Sequence, residues 1–259
     1  MTYCVGIKLK SGLIFASDSR TSAGVDYISV FCKTHRFSVK GEREIFLLNA
    51  GNLGTTQEVV SILRREIQKS VEGNILELES LFDIASHVGD TVRKVMSRLP
   101  SDSNGNFSCS FLVGGQIRGE SQRLFRVYSE GNFIEATKET PFFQIGESKY
   151  GKPVLDRIVT YETNTPDAIK CALVSFDSTM RSNLSVGLPI NLYYLPNNHT
   201  STHDEEPVDV AEALSALLDE DNEELENVRQ KWRTGLQKVF QDIPNYDWWK
   251  SSINLNRID

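Results

Sequence analysis

The stretch Thr2-Tyr3-Cys4-Val5-Gly6-Ile7-Lys8-Leu9, closed by Lys10-Ser11-Gly12, decides how this 259-residue chain is read. Tyr3, Val5, Ile7 and Leu9 alternate with Cys4, Gly6 and Lys8, which is the period of two that marks a β-strand. Chain starts usually fray, so a strand beginning at residue 2 fixes its own terminus. Two readings follow. In one, a first strand happens to start early. In the other, the terminus itself does chemistry.

From that strand the pattern extends outward. Lys-Ser-Gly reads as a turn and 13–19 (LIFASDS) as a second strand, with short strands at 27–31 and 36–39. Residues 44–51 (EIFLLNAG) form a nearly continuous apolar run ending in Gly51, as expected of a strand buried on both faces. Helical spacing follows over 52–73 and 78–99, the second with Leu81, Ile84, Ala85, Val88, Val92 and Val95 on one face. Strands return at 107–117, 123–129 and 133–137. Two helices are then expected over 150–159 and 166–183, with Pro153 and Pro166 in their opening turns, and a late strand at 190–195. This order predicts an α+β fold in which two packed antiparallel sheets carry helices on both outer faces. From Pro196 the character changes to a polar loop and two amphipathic helices, the first over 208–218. Residues 2–196 are therefore expected to form the main domain, and 197–259 a helical extension serving assembly.

Composition narrows the function. Hydrophobic residues make up 39% and charged residues 24% of the chain, the balance of an ordinary globular protein. No apolar run is long enough to cross a bilayer, and the first residues have no signal-peptide pattern, so a cytoplasmic protein without membrane contact is expected. The net charge of −7 is concentrated. Between Asp204 and Glu226 lie eleven acidic residues and no Lys or Arg, leaving 24 acidic against 28 basic residues elsewhere, or 28 − 24 = +4. Without an interleaved basic and aromatic stripe, no nucleic-acid partner is expected. Cys4, Cys32, Cys109 and Cys171 show no C-x-x-C spacing and sit in apolar segments, which argues against zinc and against a disulfide framework. His199 and His203 lie in a Pro/Asn/Thr/Ser loop rather than on a helix, so no metal is expected there. His35 and His87 read as structural, and no cofactor motif is present.

The residues that could do chemistry sit early. Removal of Met1 would leave Thr2 with a hydroxyl and a free α-amine on one residue. An α-amine has a reference pKa of about 7.7–8.0, so a fraction is neutral near pH 7 and can take the hydroxyl proton. A cation nearby would favour the alkoxide, and a carboxylate would hold that cation. Asp18 and Lys33 are the candidates; the alternative is a strand-end Asp and a solvated Lys. Cys4, two residues from Thr2, should share its face of the strand and line the same cleft.

The combination TYCVGIKLKSGLIFASDSRTSAG, FCKTHRF and NAGNLG, with DSRTSAGVDYIS and GESKYGKPVLDR, resembles proteasome-type β subunits. Within that family it resembles Anbu, the bacterial ancestral-beta-subunit group. The resemblance covers about residues 2–195. It implies a four-layer αββα N-terminal-nucleophile hydrolase fold in which Thr2 attacks an amide carbonyl, Lys33 polarises the site, Asp18 holds Lys33, and the Gly51 N–H supplies the oxyanion hole. Thr21 and Gly51 would flank an extended substrate, and Phe31 and Asn49 would shape the first specificity pocket. The chain departs from the pattern in three places. The Asp18-to-Lys33 interval is one residue shorter. Ser182 stands where an Asp is expected, while Ser185 keeps the Ser three residues on. Ser148 stands for a further supporting serine, with Glu147 competing for that place.

The resemblance also implies a homo-oligomer, ring or open spiral, that encloses its active sites. Any ATPase would be a separate chain, and only Met1 would need removal to expose Thr2. The expected function is a threonine-type peptidase. The alternatives are a scaffold with weak or no catalysis, and an amidase acting on a non-protein amide.

Overall fold

The computed structural model describes residues 2–22, 28–99, 107–198 and 208–244. In chain order the elements are β1 (Tyr3–Leu9), β2 (Gly12–Asp18), β3 (Arg20–Ser22), β4 (Ile28–Val30), β5 (Thr34–Val39) and β6 (Arg43–Gly51). After them come α1 (Leu53–Gln68), α2 (Leu81–Met96), β7 (Cys109–Ile117), β8 (Arg123–Val127), β9 (Phe133–Glu135) and β10 (Phe142–Gly146). The chain continues with α3 (Lys152–Ile158), α4 (Thr165–Ser182), β11 (Ile190–Pro196), β12 (Leu214–Leu218) and α5 (Glu223–Asp242).

Two five-stranded antiparallel sheets form, with orders β10-β1-β2-β11-β12 and β5-β6-β7-β8-β9, beside a β3-β4 ribbon. The alternation in β1 sorts its side chains between layers. Tyr3 faces outward to α4, its ring 4.6 Å from that of Phe176 and its hydroxyl 3.1 Å from Ser175 Oγ. Burial pushes the Tyr3 phenol up to about 12. Cys4 faces the other way, into a core between the sheets built from Leu13, Phe15, Phe46, Leu48 and Leu112, where Phe15 and Phe46 stack at 4.8 Å. A second core lies between the outer face of the other sheet and α1 and α2, formed by Phe37, Ile45, Leu47, Val59, Leu63, Ile84, Val88 and Val92. Each such side chain contributes about 1.5–3 kcal/mol when fully buried. The architecture is αββα, four layers deep.

Helix starts are marked by side-chain caps: Asn52 accepts from Thr55 N in α1, Ser80 from Asp83 N in α2, and Asn164 from Asp167 N in α4. The first compact unit runs through Asn222, and a second begins at Glu223. Within the second, α5 is a 20-residue helix with Glu223, Glu224 and Glu226 in its first turn, where negative charge complements the helix dipole.

Three expectations change. Residues 208–218 do not form a helix: Val210 makes an isolated bridge to Gly41, and Leu214–Leu218 pair with Ile190–Tyr194 as an edge strand, carrying the first unit past residue 196. The Ala, Glu and Leu content favours a helix locally, but the open edge of β11 offers a full ladder, and tertiary pairing overrides propensity. Strand β10 was not anticipated; it covers the other edge of β1. Cys32 is exposed, not buried with the other three cysteines. It sits in the loop between β4 and β5, where the apolar run in sequence is interrupted in space. The pair His199 and His203 lies outside the described residues.

Candidate active site

Asp18 ends β2 with its carboxylate sealed from solvent. Its Oδ1 accepts from Lys33 Nζ at 2.7 Å and from Tyr3 N at 2.9 Å, while Oδ2 accepts from Gly187 N at 3.2 Å. Burial raises the Asp18 pKa above the usual carboxylate value, against the downward pull of the Lys33 ammonium and the two N–H groups. Lys33 is 3% exposed and also donates to Arg20 O at 2.5 Å. The pair is therefore held by β1, by β3 and by the segment before β11, and one of its contacts is the backbone of the residue next to Thr2.

Thr2 is 8% exposed. Its carbonyl accepts from Glu147 N at 2.7 Å. That bond depends on Gly146 at the end of β10, whose φ is +82° and where a Cβ would overlap the Thr2 carbonyl. Glu147 is itself buried, and Asn183, the residue after α4, donates from Nδ2 to its Oε2 at 2.9 Å. Asn183 Oδ1 in turn accepts from Ser185 N at 2.9 Å.

Thr2, Thr21, Phe31, Lys33, Asn49 and Gly51 line one cavity of about 550 Å³. The direction of the Gly51 N–H follows from register. Asn52 N donates to Ser108 O at 2.9 Å, so 52 and 108 are a hydrogen-bonded pair, and the neighbouring pair Gly51–Cys109 is not. The Gly51 N–H therefore points away from β7. On that side Asn49 N reaches Lys33 O at 3.0 Å, while the Gly51 N–H has no backbone acceptor among the described residues. The Gly51 N–H is left facing the cavity at the foot of α1. Gly51 has φ +115°, and a Cβ there would overlap Ser108 O, so the position requires glycine.

Four of the expected site residues do not join this group. Ser182 is exposed at the last position of α4 and does not line the cavity. Ser185 does not line it either; it sits two residues before Gly187, whose N–H holds Asp18. Ser148 lines a separate cavity with Lys152 and Phe142. Cys4 is fully buried between the sheets and outside the cleft, its Sγ 3.6 Å from Asn49 O, and burial pushes its thiol well above the ordinary value. It does lie on Thr2's side of the strand, but the sheet-to-sheet core closes over it.

The sequence reading missed His35 and Arg64, which line the cavity, and Asn183, which holds Glu147. His87 is paired with Glu66 at 2.8 Å between α1 and α2. Among the described residues no group of three or more His, Cys, Asp and Glu is placed to hold a metal ion, and no helix is long and apolar enough to cross a membrane.

Comparison with known proteins agrees with this fold. Residues 2–195 match the family model described as "Proteasome subunit". The chain is 24% identical over 190 residues to proteasome subunit beta 2 of Pyrococcus furiosus, covering 72% of this chain and 82% of that one. Its structure is similar to Anbu (ancestral beta-subunit) from Yersinia bercovieri at 47% identity, with a TM-score of 0.83 and coverage of 94% and 98%. It is similar also to the helical assembly of the Anbu complex from Pseudomonas aeruginosa at 42% identity, with a TM-score of 0.86 and the same coverages. A chain with this fold, a Thr at the head of β1 and so close a likeness over nearly its whole length belongs to the proteasome subunit family, in its Anbu group.

Proposed function

We propose that this chain is a threonine-type amide hydrolase, acting on peptides, whose nucleophile is Thr2 after removal of Met1. Thr2 Oγ attacks the carbonyl carbon and its proton passes to the Thr2 α-amine. The C–O bond forms as the carbonyl π pair moves to oxygen. Collapse of the tetrahedral species breaks the C–N bond, and the leaving amine takes the proton back. Water then hydrolyses the ester on Thr2 by the same route in reverse. The Gly51 N–H meets the developing oxyanion at the positive end of α1. Lys33 supplies positive charge beside the nucleophile, Asp18 fixes Lys33, and the Glu147 N–H holds the Thr2 carbonyl. Thr21 and Gly51 offer main-chain groups to an extended substrate, with Phe31 and Asn49 in the first specificity pocket.

One observation carries this reading: the buried Lys33–Asp18 pair is tied to Tyr3 N and opens onto the cavity that Thr2 also lines. Burying an ion pair is costly, and this one is placed where a nucleophile needs it. The assembly is a homo-oligomer that encloses these sites as an open spiral, a reading supported by the helical assembly named for the Pseudomonas aeruginosa relative. Residues 197–259 contribute to it, with 223–242 as its helical part.

A scaffold with little turnover is the second reading. It is favoured by Ser182, which stands in the place of an orienting Asp and lies exposed. An amidase acting on a non-protein amide would use the same residues. Assays of peptide amides with wild type and Thr2→Ala, at matched assembly by sedimentation velocity, separate the readings. Turnover lost in Thr2→Ala with assembly intact supports the hydrolase. Equal turnover in both proteins, or none in either, supports the scaffold.

A further inference from the structure

We infer that the cavity beside Thr2 selects a substrate with a carboxylate side chain, glutamate above all, on the residue preceding the cleaved bond. The inference rests on Thr2 as nucleophile for the position of that bond, but its evidence is the pocket wall.

Helix α1 forms one wall through Thr56, Val60 and Arg64, spaced by four residues and so on one face. Arg64 donates from Nη2 to His35 Nδ1 at 3.2 Å and makes no ion pair among the described residues. A guanidinium can only donate, so His35 Nδ1 must be the acceptor. The ring is neutral: burial first, and Arg64 with it, lowers the His35 pKa to about 4. With Nδ1 accepting, the single ring proton sits on Nε2, which lies 3.0 Å from Asn49 Oδ1 and donates to it. That bond fixes the Asn49 amide. Its oxygen is turned to His35 and its NH₂ away from it, with no partner among the described residues.

The chain Arg64, His35, Asn49 thus turns the Asn49 amide so that it offers donors, and not its oxygen, to an occupant beside the Arg64 guanidinium. Among the described residues no Asp or Glu lines the cavity. The other cation there, Lys33, is already neutralised by Asp18. A carboxylate satisfies the Asn49 NH₂ and is attracted by Arg64, whose side chain leans back toward the helix start. Glutamate reaches further toward Arg64 than aspartate. A basic side chain meets like charge, and an apolar one leaves the Asn49 NH₂ unpaired.

The test uses the full assembled protein with peptide amides differing only in the residue before the cleaved bond: Glu, Gln, Leu or Lys. The Glu substrate is expected to exceed Gln in kcat/KM by about tenfold or more, as for one hydrogen bond gained to a charged group, with Lys the poorest. Arg64→Gln is expected to collapse the Glu-to-Gln ratio toward one, and Arg64→Glu to invert the Glu-to-Lys order. Equal rates for Glu and Leu, a preference for Lys, or a ratio unmoved in Arg64→Gln would overturn the inference. Binding of the same peptides to Thr2→Ala, followed by calorimetry, separates the two claims. Preferential binding of the Glu peptide without turnover by wild type removes the nucleophile and keeps the pocket. Binding of none, or of all alike, removes the pocket.

Discussion

Replacing His35 by Gln removes a titrating group that the fold keeps neutral, so stability should lose part of its pH dependence. The folded pKa is about 4, against 6.5 for a free histidine. As pH falls below 6.5 the unfolded chain binds a proton at this site that the folded chain refuses until about pH 4. The folded state is therefore progressively disfavoured through that window. The slope is at most about 1.4 kcal/mol per pH unit, which makes roughly 2 kcal/mol between pH 6.5 and 5. Gln at 35 can still donate to Asn49 Oδ1 but does not titrate. The assay is urea denaturation of both proteins at fixed concentration from pH 7.5 to 5. The difference between the two curves cancels the carboxylates they share. The wild-type midpoint should fall relative to His35→Gln below pH 6.5, with no relative change above pH 7. Parallel curves across the range would refute the neutral His35, and with it the proton assignment that turns the Asn49 amide.

Other substitutions probe the site from different sides. Asp18→Asn strips the charge that compensates buried Lys33 and should cost about 3–5 kcal/mol in chemical denaturation, with turnover abolished. Gly146→Ala forces a Cβ into the Thr2 carbonyl at a positive φ. It should cost at least about 1–3 kcal/mol and raise backbone exchange at Tyr3, read by hydrogen–deuterium exchange of the N-terminal peptide. Ser182→Ala touches an exposed hydroxyl at the end of α4, so stability should stay within about 0.5 kcal/mol and turnover should be unchanged.

Much of the fold was legible because its signals are local. The alternation in β1, the apolar run of β6 and the capped, periodic helices each report their own environment in a few residues. Strand β12 was misread because Ala213 to Leu218 carry helix propensity, and nothing in them records the open edge of β11. Strand β10 was missed because Phe142-Phe143-Gln144-Ile145 shows no alternation: it is flanked by β1 and buried against both neighbouring layers.

The site divides the same way. Thr2, Asp18, Lys33 and Gly51 could be named from the family resemblance, and the structure places three of them on one cavity with Asp18 behind it. His35 read only as a structural histidine, and Arg64 is an exposed helix charge with no motif around it. Their link to Asn49 joins α1, β5 and β6, a relation between elements that no spacing along the chain encodes. Asn183 was adjacent to the expected Ser182. The turn after α4 rather than the helix end carries the contact to Glu147, and a one-residue offset of that kind follows from where the helix stops.

The central claim is that the α-amine of Thr2 is free to act as base, and the mass of the N-terminal peptide from natively expressed protein tests it most directly. The account predicts a chain that begins at Thr2 with an unmodified amine. Retained Met1, or an acylated Thr2, would lock the proposed base in an amide and contradict it.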